Sequence, residues 1–101
     1  MSHTMRRRWL AALALSAPLA VATPAAAQDA AQAEQTYLAL APQADERAGD
    51  PAFDYALGIA ALDSGRYGEA IIALQRVLAV QPGNAQARAE LARAYALAGR
   101  F

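Results

Sequence analysis

The sequence contains no cysteine and no lysine, and its single histidine, His3, stands close to the start. Without cysteine there is neither a disulfide framework nor a residue to carry an N-terminal lipid. Beyond residue 27 the inventory is thinner still: no histidine remains, and the only hydroxyls apart from tyrosine are Thr36 and Ser64. Neither has a base to activate it. Ser64 lies in Asp63-Ser64-Gly65, which has the form of a helix C-terminal turn rather than a nucleophile elbow, and no glycine-rich phosphate loop occurs. Asp45 and Glu46 are adjacent and so diverge on a helix instead of forming an acid/base pair. The expectation is a chain that is not an enzyme and holds no cofactor or metal.

Large apolar side chains are also few. About thirty of the 101 residues are alanine, so the 56% hydrophobic fraction overstates the core. Alanine loses no side-chain entropy in a helix, and this composition points to an all-α fold.

Residues 1–27 read as a signal peptide. Arg6, Arg7 and Arg8 form a basic stretch, Trp9 to Val21 an apolar one, and Ala25-Ala26-Ala27 a small-x-small cleavage signal before Gln28. As a helix the apolar stretch would span about 20 Å, short of the roughly 30 Å hydrocarbon core of a membrane. The implied form is exported, periplasmic, and without an integral membrane segment. Arg6-Arg7-Arg8-Trp9-Leu10 partly resembles a twin-arginine signal, but an ordinary basic leader fits better, because nothing here suggests a cofactor inserted before export. From Gln28 onward six arginines face nine acids, a formal charge of −3 where the whole chain is neutral. An acidic domain without a basic stripe is a poor binder of nucleic acid, whose phosphates dominate affinity.

Residues 28–50 read as an N-terminal helical segment or a degenerate half-repeat. Asp29 is a candidate cap, Ala33, Tyr37, Leu40 and Ala41 mark an apolar side, and Pro42 must end or kink the helix, giving two short helices. Gly49-Asp50-Pro51 then reads as stop, cap and first helical position. The acids Glu34, Asp45, Glu46 and Asp50 lack the glycine-centred spacing of a calcium loop and read as a solvated face.

From Pro51 the chain shows a 34-residue period. Leu57, Gly58, Gly65, Tyr67, Ala70, Leu74, Leu78 and Pro82 are followed, at equivalent offsets from Ala85, by Leu91, Ala92, Tyr95 and Gly99. Gly58 and Ala70 are small enough to let two helices approach closely, with Leu57, Leu74 and Leu78 filling the seam. Gly65 ends the first helix, Pro82 stops the second, and Asn84 caps a third. A chance alanine-rich bundle would not repeat this spacing. The pattern resembles the tetratricopeptide repeat (TPR), with Asp54 and Val77 departing from the residues usual at their positions. The register divides the chain into one full repeat, 51–84, and the first helix of another, 85–101.

The resemblance implies an α-solenoid of helical hairpins that binds a protein or peptide partner on the concave surface formed by the first helix of each hairpin. Carried over position by position, that face comprises Ala52, Tyr55, Ile59, Leu62 and Asp63, then Gln86, Ala89, Arg93, Ala96 and Leu97. Of these Tyr55, Ile59, Asp63, Gln86 and Arg93 are the partner-binding candidates. Tyr55 and Arg93 lead, because aromatic and arginine side chains dominate interface energetics. The alternatives are that Tyr55 packs on the 29–48 segment and that Arg93 is merely solvated. The lysine and asparagine with which chaperone-binding members grip a terminal carboxylate are missing at these positions. One and a half repeats bury too little surface to stand alone, which suggests a piece of a longer protein. Leu91, Ala92 and Tyr95 are then expected to face a missing arm and to favour self-association. A structural spacer or self-associating helical domain is the competing class. The stretch from Phe53 also resembles the periplasmic TPR regions that precede outer-membrane β-barrels, including the surface lipoprotein assembly modulators.

Overall fold

The computed structural model describes residues 24–99. Most of the expected signal peptide, and Phe101, lie outside the described residues. Among those described the chain is all-α: α1 (Ala25–Leu40), a 3₁₀ turn (Ala41–Gln43), the single-turn α2 (Ala44–Arg47), α3 (Pro51–Asp63), α4 (Tyr67–Val80) and α5 (Ala85–Leu97).

The N-terminal segment departs from expectation at its start. Asp29 sits inside α1, not at its cap, because the helix begins four residues earlier, after Pro24 in an extended conformation. Ala25, Ala26 and Ala27 are strong helix formers and carry the helix back through the expected cleavage signal. Pro42 acts as anticipated: α1 stops at Leu40, and the chain passes through one 3₁₀ turn into α2. The first of these helices is long rather than short, at 16 residues.

The remaining punctuation follows the sequence closely. Gly49 takes φ 95°, Asp50 accepts hydrogen bonds from the amides of Ala52 and Phe53, and Pro51 opens α3. At the other end of α3, Gly65 adopts φ 85°, a conformation that costs a side-chain-bearing residue dearly. Its amide bonds to the Leu62 carbonyl and that of Arg66 to the Ala61 carbonyl, closing a Schellman turn. Asn84 accepts from the Ala87 amide at 2.9 Å to start α5.

α3 and α4 form an antiparallel hairpin, with α5 laid along α4 and α1 along α3. Its core is built of small residues: Ala60, Ala61, Ala70, Ala73, Ala87 and Ala94 are all buried, around Phe53, Leu57, Leu62, Ile71, Leu74 and Val77. The close approach exists, but with other partners. A β-carbon at Gly58 would sit 2.9 Å from Cγ and 3.1 Å from Cδ2 of Leu74, with Ala73 next, so Leu74 and Ala73 press on this glycine, not Ala70. Ala70 is buried instead among Ala61, Leu62, Ile71, Leu74 and Ala94. Leu78 is only half-buried, because the inward stripe of α4 runs through Ala70, Ala73, Leu74 and Val77.

The last helix also corrects an expectation. Leu91 and Tyr95 do not look away toward a missing arm; both pack on the hairpin core beside Ala94 and Ala98. The side-chain amide of Gln75 on α4 donates to the Tyr95 hydroxyl at 2.8 Å. Residues 87, 91, 94 and 98 form one helical stripe, and that stripe faces α4. Ala92 falls on the opposite side and is exposed, as is Leu97.

Candidate functional site

Helices α1 and α3 meet along an open groove of about 590 Å³. From α1 it takes Asp29, Gln32, Ala33 and Thr36, and from α3 Tyr55, Ala56, Ile59, Ala60 and Asp63. Both sets recur at three- and four-residue intervals, so each helix contributes one continuous face. The floor is alanine and isoleucine, with Tyr55 at one end and the carboxylates Asp29 and Asp63 at the other. A separate hollow of about 280 Å³, also lined by Tyr55, lies between Pro51, Ala52, Gln81, Asn84 and Gln86. Three candidate residues, Tyr55, Ile59 and Asp63, therefore share one groove, and Gln86 lines the separate hollow on the other side of Tyr55.

Tyr55 is half-buried, packs against the hairpin core and also lines the groove with Ala33 and Thr36 of α1. Burial, and then the negative charge of Glu90, hold its phenol above the ordinary value of 10.0. Arg93 is not simply solvated. It donates to Asp63 at 2.8 Å and to Glu90 at 3.0 Å, tying α5 to the end of α3. Those bonds raise its already high pKa, that to Asp63 contributing most. Leu62, placed by sequence on the concave face, is 2% exposed and belongs to the core. Ala52, Ala89, Ala96 and Leu97 are exposed as expected.

Two arrangements escaped the sequence reading. Asp54, which departs from the repeat pattern, is fully buried. It accepts from the Gly49 amide at 2.8 Å and pairs with Arg76 of α4 at 3.2 Å, joining the turn before α3 to the second arm of the hairpin. Burial without a partner would be costly for a carboxylate, so these two bonds are what permit it. The second arrangement docks α1. Arg66 donates through both terminal nitrogens to Glu34, at 2.5 and 2.9 Å, and its guanidinium lies 4.0 Å from the Tyr37 ring centre. The Tyr37 hydroxyl donates to Glu69. Glu34 thus anchors a helix rather than lying on a merely solvated face. Helical spacing puts 34 beside 37 and 66 beside 69, but no rule links the two pairs, so only the folded chain reveals the set.

Among the described residues no three His, Cys, Asp or Glu side chains converge as metal ligands, and no helix is long and apolar enough to cross a membrane. Residues 61–101 match the family model described as tetratricopeptide repeat. No curated protein and no solved structure matches the chain. The match takes in the end of α3, the whole of α4 and α5, and the turns between them, the same stretch in which Gly65, Pro82 and Asn84 set the helix ends. Its helical hairpin and 34-residue register agree with that match, so residues 61–101 are similar to the tetratricopeptide repeat.

Proposed function

We propose that this protein is an exported interaction module that takes a peptide or protein segment in the α1–α3 groove and does not itself catalyse a reaction. Tetratricopeptide repeats in general suggest protein–protein interaction. The observation that carries the more specific reading is the convergence of Tyr55, Ile59 and Asp63 with a face of α1 around one open, apolar-floored channel. A groove of this size, mostly apolar and edged by a few polar groups, has the make-up of a binding site. Periplasmic location is part of the proposal and rests on the basic, apolar and small-residue succession of residues 6–27.

Photo-crosslinking in cells tests it. A benzophenone amino acid at Ala56, an exposed lining residue, should give discrete adducts, whereas the same group at Ile72, exposed on α4, should not. Adducts from position 72 and none from position 56 would overturn the groove as the binding surface. Fractionation of the same cells should place the adducts in the periplasm.

A further inference from the structure

We infer that the groove selects a peptide segment carrying an arginine or lysine side chain, followed within about three residues by large apolar side chains. This rests on the groove being the binding surface and adds the chemistry of its occupant. Asp29 and Asp63 line both the groove and the hollow at its end, beside Ala30. No arginine lines either space. The neighbouring cation, Arg93, is already shared between Asp63 and Glu90, while Asp29 has no ion pair among the described residues. Release of residues 1–27 would add one ammonium beside Asp29, and the three carboxylates would still outnumber two cations.

Dimensions set the spacing. Tyr55 and Asp63 are eight residues apart on α3, about 12 Å at 1.5 Å per residue. An extended peptide rises about 3.3 Å per residue, so roughly four residues span that length. A cation placed at the acidic end leaves the next residues over Ile59 and Ala33, then Ala56, and finally the Tyr55 ring. A ligand presenting a carboxylate there would meet like charge, so repulsion sharpens the selection as much as attraction does.

The test is selection from a random eight-residue peptide library on the immobilised full chain, with A56W as the blocked comparison. Residue 56 is exposed, so the indole fills the channel without entering the core. Peptides retained by the natural chain and lost on A56W should be enriched in arginine or lysine followed by leucine, isoleucine or phenylalanine. D29R should weaken their binding about tenfold, and raised salt should weaken it in the natural chain. Enrichment of neutral or acidic peptides that A56W still abolishes would overturn the cationic occupant and leave the groove standing. Absence of any peptide sensitive to A56W would overturn the groove itself, and this inference with it.

Discussion

The tightest point of the hairpin is Gly58, and replacing it by alanine sets two effects of known size against each other. Inside a helix the change from glycine to alanine is worth about 0.8 to 1.0 kcal/mol in favour of folding. The new β-carbon, however, would lie 2.9 Å from Cγ of Leu74, a residue with no exposed surface and no room to withdraw. Overpacking of this kind costs about 1 to 3 kcal/mol, so the net effect should lie between about zero and 2 kcal/mol of destabilisation. Gly68, also helical, meets nothing within 4 Å of its added β-carbon. Gly68→Ala should therefore stabilise by about 0.4 to 1 kcal/mol. For a domain of this size 1 kcal/mol moves Tm by about 4 to 8 °C, so the two variants should separate clearly, in opposite directions, in a thermal melt followed by circular dichroism. Leu74→Ala removes the obstructing atoms, and in that background Gly58→Ala should become favourable, a non-additivity that a double-mutant cycle measures directly. Equal rises in Tm for both glycine variants would refute the close contact between α3 and α4.

Ala70→Leu should lower Tm by more than Ala98→Leu, because Ala70 is completely buried whereas Ala98 is the C-terminal cap of α5 and only half-buried; equal shifts would mean the helices pack otherwise. Asp54→Ala removes the acceptor for both Gly49 and Arg76 and should cost about 1 to 3 kcal/mol in urea unfolding, with Asp54→Asn losing less. Hydrogen bonds from Arg66 hold the Glu34 carboxyl below its ordinary 4.5, so its contribution is complete above that pH and lost as pH falls through the lower folded value. Tm of the natural chain should accordingly converge on that of Glu34→Gln in acid, and a constant gap between the two would exclude this anchor. At the alkaline end, the bond to Glu69 raises the Tyr37 phenol above 10.0, so that stabilisation is complete below pH 10 and disappears as pH rises through the folded value; Tyr37→Phe should flatten this limb. Mass spectrometry of the periplasmic fraction should find a chain beginning at Gln28, and retention of the full-length form in the cytoplasm would refute export.

Local punctuation was determined by the sequence alone. Gly49, Asp50, Pro51, Gly65, Pro82 and Asn84 act through their own backbone preferences and nearest amides, which is why the bounds of α3, α4 and α5 and the 34-residue register were legible before any contact was known. The resemblance to the repeat assigns Tyr55, Ile59 and Asp63 to one face, and their i, i+4, i+8 spacing on α3 keeps them on one side. The tertiary structure alone decided what that face meets. Whether Arg93 reaches Asp63 depends on how closely α5 approaches α3, and no pattern within either helix encodes that distance. Asp54 looked like a flaw in the repeat until burial gave it the Gly49 amide and Arg76, two partners on separate segments. Asp29 reads as a cap by its place in the sequence, but it lies within α1 and lines the groove opposite α3. Spacing along the chain sets faces and ends, whereas the pairing of charges and the depth of a groove arise only when separate helices come within a few ångströms of one another.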